Sequence, residues 1–432
     1  MMEFFTFTDP NVRMVTLGSI LLGASAAIVG CFTFLRKRAL VGDAIAHSIL
    51  PGVCLAFIVT GSKNPWYLLI GAVIAGWISL LVMDYMTNRS KLKTDTAIGA
   101  VLSVFFGLGI LLLTAIQHSG RANQAGLDKF LFGKAASMTQ QDIITFSSVA
   151  VVLLLIVLAF YKEFKLVSFD PDFARAIGLP VRGLEFALST ITVLSVATGI
   201  QAVGVVLMAA LLITPAAAAR FWTERIQVML LLAATFGILS GFFGSFISYV
   251  APSMPTGPWI VMLLSVIAII SVLFAPERGI LARNRLQRQN TRKMLLENIL
   301  KTFYSIGERN TALDAPRTVT ALQQKRAFGR EELLRGLQRL RKQGLLSHND
   351  SDAWSLTAAG IEESRRVVRL HRLWELYLSE RMNIQADHVH NTAEAIEHIL
   401  TPDVEEALLE ELGHPELDPH ASQIPYASKK DT

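Results

Sequence analysis

The chain has 432 residues, 52 % hydrophobic and only 17 % charged, with a net charge of +5. That balance identifies a membrane protein whose modest charge is informative loop by loop and not as a total. Cys31 and Cys54, the two cysteines, both fall in apolar stretches, which excludes a disulfide framework.

The apolar excess fills roughly the first 275 residues, and the remainder reads as soluble and charged. Segments of spanning length lie at 14–35, 39–60, 66–88, 95–117, 140–161, 184–200, 202–222, 226–250 and 258–275. The pair around Gly199 to Gly204 is either two short spans or one span plus a re-entrant piece. The first span follows Arg13 and has its basic cluster behind it, the reverse of a signal peptide, so no cleavage is expected. With nine crossings, the loops at Arg36-Lys37-Arg38, Arg89 to Lys93, Lys162 to Arg182, Arg220 to Arg225 and after Arg278 share one side. They hold most of the Lys and Arg, so that side is cytoplasmic, with the N-terminus outside and the C-terminal region inside.

The second span, ALVGDAIAHSILPGVCLAFIVT from Ala39 to Thr60, carries Asp43 and His47. Four residues along a helix are about 6 Å of rise and about 40° of rotation, so both side chains share a face. A carboxylate with an imidazole is half a shell for a divalent transition metal, and ionisable groups inside a span mark a pathway or a site. From spacing alone the pair reads equally as headgroup-level anchors beside Arg36 to Arg38. Gly42 before it and Pro51-Gly52 after it favour the site, because the backbone there can bend or be approached closely. Cys54, about 10 Å farther along the same face, reads as a small buried hydrophobe and not a ligand.

The longest inner loop, Tyr161 to Gly183, holds a short helical pattern from Pro171 to Ile177, with Asp170 as N-cap and Gly178 closing it. Such a helix is a docking surface for a partner or an ordinary interfacial helix. Gly204 to Ala219 is crowded with small residues that permit close packing, and Pro215 bends it. No phosphate-binding G-x-x-x-x-G-K-[ST] occurs, so the chain binds no nucleotide through one.

Together GDAIAHSILPG (Gly42 to Gly52), SFDPDFARAIGLP (Ser168 to Pro180), VGVVLMAALLITPAAAAR (Val203 to Arg220) and MPTGPWIV (Met254 to Val261) resemble the manganese/zinc/iron permeases of the ATP-binding-cassette importers. The resemblance covers roughly residues 10–278, with all blocks in order. It implies that Asp43 and His47 coordinate the transported metal and that Asp170, Pro171, Ala174 and Gly178 belong to the helix coupling to a separate cytosolic ATPase. It also implies an extracytoplasmic metal-binding protein and a second permease subunit, identical or paralogous. Ser253 stands where an acidic residue is expected before the Pro-x-Gly block.

Past Glu277, RGILARNRLQRQNTRK reads as a basic linker (279–293) suited to anionic lipid headgroups. Leu295 to Ile306 and Arg330 to Gly344 read as amphipathic helices, and Leu345 to Leu356 as a hairpin with Asn349-Asp350 at its tip. That order suggests a winged helix-turn-helix over 294–365. Arg335, Arg339, Arg341 and Lys342 can meet phosphates of DNA or form only a solvated basic face. Over 366–432, His371 and Glu375 are spaced i,i+4, and His390, Glu394, Glu397 and His398 follow on a second helix. Two such helices facing each other make a metal cage without thiolates, fitting Mn(II) or Fe(II) better than structural zinc; incidental polar surface is the alternative.

RLHRLWE (Arg369 to Glu375), HNTAEAIEH (His390 to His398) and GHPELDPHASQIP (Gly413 to Pro425) resemble the iron- and manganese-dependent repressors of the diphtheria-toxin-repressor family. By that resemblance His371, Glu375 and His390 form one metal site, and Glu394, Glu397 and His398 the other. First-helix positions that supply further ligands to the latter read Asn298 and Lys301 here, and a lysine opposes a cation. His414 and His420 read as structural, and nothing matches the small third β-barrel domain of some members.

The expectation is therefore an all-α polytopic membrane domain of about nine transmembrane helices (1–278), then a cytosolic winged helix and a helical metal-binding and dimerisation domain. The expected function is the inner-membrane permease of an ATP-driven importer of Mn, Fe or Zn, manganese favoured, with the same metals as regulatory ligands of the tail. The alternatives are a membrane-tethered or proteolytically released metal-dependent repressor, and an ion-coupled secondary carrier, for which few other buried charges are available.

Overall fold

The computed structural model describes residues 2–118, 133, 138–251, 254–310, 312–349, 352–382, 402–420 and 422–426. The chain divides into two compact units, Met1–Ala282 and Arg283–Thr432.

In the first unit a short α1 (Met2–Thr6) precedes the spans. They are α2 (Pro10–Leu35), α3 (Ala39–Ser48) with α4 (Leu50–Thr60), α5 (Pro65–Arg89), α6 (Thr94–His118) and α7 (Gln140–Ala159). Two short loop helices follow, α8 (Tyr161–Phe169) and α9 (Pro171–Ala176). Then come α10 (Val181–Val203), α11 (Val205–Trp222), α12 (Ile226–Val250) and α13 (Thr256–Phe274). Among the described residues eight segments are long and apolar enough to cross a bilayer, and Leu207–Trp222 is a shorter ninth. The expected pair around Gly204 is thus two helices meeting at that residue, whose φ of 84° turns the chain between them.

The span expected at 39–60 is present as one apolar segment, Leu40–Thr60, built of two helices that meet at Ile49, whose own backbone is helical. Pro51 has no N–H to give the His47 carbonyl, so the helical ladder is interrupted one turn after the imidazole. The outer faces of the bundle carry exposed aliphatic rows, such as Ile70, Ile74, Ile78 and Leu81 on α5, which suit lipid. The inner faces carry small residues. Gly23 of α2 and Gly237 of α12 lie backbone against backbone, an added Cβ on either coming within 2.4 Å of the other's carbonyl oxygen. Inside the bundle some hydroxyls pair across helices, as Thr33 with Thr192 at 3.3 Å and Ser245 with Thr16 at 3.2 Å, whereas those of Ser19, Ser48 and Ser195 are buried without a partner.

The second unit opens on α14 (Ile280–Asn310), whose first residues close the first unit. The basic stretch 279–293, expected as a linker, is helical from Ile280 onward: no Gly or Pro interrupts it before Gly307, and Arg, Leu, Gln and Lys are good helix formers. After β1 (Arg317–Thr318) come α15 (Val319–Lys325), α16 (Arg330–Lys342), β2 (Leu346–His348) and β3 (Ala353–Leu356). The strands form an antiparallel sheet in the order β1-β3-β2, with Leu346 opposite Leu356. Ile299, Phe303, Leu322, Leu337, Trp354 and Leu356 fill the core beneath, the arrangement of a winged helix-turn-helix. Then α17 (Ala358–Met382) and α18 (Pro402–Leu412) form the helical end of the unit.

Gly30 gives the sharpest packing test, since a Cβ there meets the Leu212 carbonyl oxygen at 1.8 Å. Gly30→Val is expected to cost at least about 1–3 kcal/mol by overpacking, seen as a lower thermal midpoint in detergent. Gly99→Ala, where nothing lies within 4 Å of the added carbon, leaves the midpoint unchanged or slightly raised.

Candidate metal path, coupling helix and tail site

Asp43 and His47 sit on α3 with His47 Nε2 3.7 Å from Asp43 Oδ1, close enough for one ion to bridge them. The imidazole is about one-fifth exposed and the carboxylate about two-fifths, so the pair stands at the edge of the packed bundle. On its buried side, His47 Nδ1 has no hydrogen-bond partner, and the ring stands edge-on to Phe106 of α6 at 5.0 Å. A carboxylate oxygen and an imidazole nitrogen, both reachable from one side, can hold a divalent cation that completes its shell from elsewhere. Cys54 is fully buried with its thiol 3.8 Å from the Gly109 carbonyl oxygen, in keeping with a packed hydrophobe.

In the loop before α10, α9 forms as its residues dictate. Asp170 accepts from the Phe173 N–H at 2.9 Å, and Pro171 sets the first turn. Gly178 closes the helix at φ 87°, and the Leu179 N–H bonds the Ala174 carbonyl at 3.1 Å. Ala174 is completely buried against the bundle and seats the helix, whereas Phe173 and Ile177 are more than half exposed one turn apart. Those two outward apolar side chains were not singled out from sequence; their i,i+4 spacing inside a capped helix was the available signal.

A further cluster was also missed. Arg36 Nη2 pairs with Glu185 Oε1 at 3.2 Å and Arg38 with Asp84 at 3.8 Å, which ties the α2–α3 junction to α10 and α5. Arg38, Asp84, Arg182 and Glu185 line a cleft of about 390 Å³ there, beside Trp77 and Phe186. The basic run had been read only for topology.

In the tail, His371 and Glu375 are both buried on α17 with Nε2 and Oε1 3.0 Å apart. His390, Glu394, Glu397 and His398 lie outside the described residues, as do Ser253 and Asp350. Among the described residues no three His, Cys, Asp or Glu gather as a metal cluster. The neighbouring Arg372 holds Glu308 at 2.8 Å and Asp418 at 3.5 Å. Burial pulls its guanidinium down, but Glu308 and Asp418 outweigh this and hold it above its ordinary range. The Asn298 side-chain oxygen is buried without a partner, and Lys301 lines the same cavity as His371 and Glu375. Asp418 also accepts from the His420 and Ser422 backbone N–H groups, which fits the structural reading of that segment. On α16, Leu333, Leu337 and Leu340 are buried, while Arg335 and Lys342 are exposed and Arg339 half-buried. Arg335 is bonded to Glu331 of its own helix.

Residues 8–275 match the ABC 3 transport family, and residues 357–426 match the iron dependent repressor, metal binding and dimerisation domain. The manganese transport system membrane protein MntC of Bacillus subtilis is 41 % identical over 385 residues, covering 88 % of this chain and 87 % of that one. The zinc transport system membrane protein TroC of Treponema pallidum is 45 % identical over 275 residues, 64 % of this chain and 92 % of its own. Among solved structures, PsaBC from Streptococcus pneumoniae in complex with Fab aligns with a TM-score of 0.58 and 33 % identity, over 64 % of this chain and 96 % of that one.

One tail contact is strong enough to test alone. Glu405 of α18 is buried and bonded by Arg369 at 2.8 Å and Arg366 at 3.3 Å, both from α17. Arg369→Met leaves that carboxylate half-compensated, at a cost of about 3 kcal/mol, and is expected to raise the protease sensitivity of 283–432 in the full chain.

Proposed function

The chain belongs to the ABC 3 transport family, and from that premise we propose that it is the membrane permease subunit of an ATP-driven importer of divalent transition-metal ions, manganese foremost. Its tail is a cytosolic repressor-like domain that senses the same ions. Manganese and zinc are the ions in the names of the relatives reported above. The observation that carries the reading is the Asp43–His47 pair, set within a bundle of the family and next to the break at Pro51.

The ion arrives at the outer mouth from an extracytoplasmic metal-binding protein and rests between Asp43 Oδ1 and His47 Nε2. Two protein donors are too few for such an ion, so a second permease subunit supplies more. A separate cytosolic ATPase grips α9 through Phe173 and Ile177, and Ala174 transmits the push because it is packed without clearance against the bundle. Asp170 and Gly178 fix the helix so that force is not lost in fraying. The inner-membrane orientation, N-terminus outside and tail in the cytoplasm, follows from the Lys- and Arg-rich loops. The tail takes up ion through His371, Glu375 and His390, with Glu394, Glu397 and His398 as a second site, and throttles transport when loaded.

A membrane-tethered repressor is the second reading, favoured by the exposed Arg335 and Lys342 on the second helix of the winged fold. Metal-dependent, sequence-specific DNA binding by the full chain in nanodiscs supports it.

Uptake of labelled Mn(II), Fe(II) and Zn(II) by cells carrying the whole system tests the primary reading. Asp43→Asn and His47→Ala are each expected to abolish uptake of the favoured ion at unchanged protein level; uptake that survives both makes the pair headgroup anchors. Phe173→Asp, which removes an exposed apolar contact and no internal one, is expected to abolish ATP-dependent uptake while the chain still reaches the membrane. Retention of full uptake counts against coupling through α9.

A further inference from the structure

The second unit contains a cavity of about 200 Å³ whose wall includes His371 and Glu375, the buried pair assigned to the tail's ion. Lys301, Glu308, Arg372 and Asp418 share that wall. The two arginine-bound carboxylates are committed: Glu308 and Asp418 are both held by Arg372. Lys301 is different in kind. It is partly exposed, and it carries a positive charge on a flexible four-carbon stem. A lysine in the wall of the same small cavity as a carboxylate–imidazole pair does for that pair electrostatically what a cation does, and it repels a second cation. A site built only to hold a divalent ion tightly would not place it there.

We propose that Lys301 is a resident competitor for the tail's ion: its ammonium must be displaced before a divalent cation can load His371 and Glu375. It thereby weakens the site, so that the tail fills only when cytosolic metal is in excess. The inference rests on the reading of the tail as metal-binding and adds what sets its threshold. Imported ion then restrains transport late, after the cell is supplied, and not at the first ions that enter. A tight site would switch the importer off while metal was still scarce.

The test uses the full chain in lipid nanodiscs, in an Asp43→Asn background that silences the membrane pair. Mn(II) is titrated, and the free ion is read from its six-line electron paramagnetic resonance signal. Lys301→Met is expected to tighten tail binding by about tenfold or more, whereas Lys301→Arg, which keeps the charge, stays within about threefold of the parent. Adding His371→Ala to Lys301→Met is expected to remove the gain. Lys301→Gln, neutral but polar, repeats the measurement if the methionine variant aggregates. Equal affinity in the parent and both neutral variants overturns the competitor role alone. So does an arginine variant as tight as the methionine one, or a gain that survives without His371. No tail binding in any variant overturns it together with the metal-binding reading of the tail.

Discussion

Inside a bilayer no water is available to a peptide group, so every N–H and C=O that leaves a helix must find a partner in the protein. The first unit is shaped by that constraint. Its spans are helices, many of their hydroxyls bond back one turn or pair across helices, and their outward faces are aliphatic. Against this background the interruptions of the ladder stand out: Pro215 inside α11, and two more. One is Gly204, where α10 passes into α11. The other is the Ile49–Pro51 junction directly after His47. A carboxylate and an imidazole placed beside a missing backbone hydrogen bond are a costly combination, and it is this coincidence, more than either residue alone, that singles out the site.

Charge is handled differently in the two units. In the membrane unit the ion pairs Arg36–Glu185 and Arg38–Asp84 sit at the α2–α3 junction, at the end of the spans, where long side chains reach past the apolar layer. In the tail, arginine forks answer the buried carboxylates of Glu405 (Arg366 and Arg369) and Asp418 (Arg372), and Arg372 also holds the exposed Glu308. Arginine suits this work because its planar donors hold two oxygens at once. The lysine in the tail cavity departs from that pattern.

How much of this was legible in the chain depended on whether the signal was local. The spacing of Asp43 and His47, the cap at Asp170, the stop at Gly178 and the i,i+4 relation of His371 to Glu375 are properties of one helix, and a helix of known pitch projects them directly. The partner of Arg36 lies 149 residues away, and no periodicity announces it. The exposure of Phe173 against the burial of Ala174 depends on which side of α9 meets the bundle, a tertiary fact. The stretch 279–293 read as a linker because its composition is polar. Composition weighs burial, whereas helix formation there rests on propensity and on the absence of breakers.

The contact between Gly23 and Gly237 has a mechanical meaning. Where two helices meet through side chains, the rotamers between them can exchange and let one slide over the other. Where backbone meets backbone there is nothing to re-seat, and even a small displacement costs packing on both sides at once. Helices α2 and α12 are therefore locked together as one strut. Any bending of the bundle falls to the helices whose ladder is interrupted, among them the one that carries Asp43 and His47.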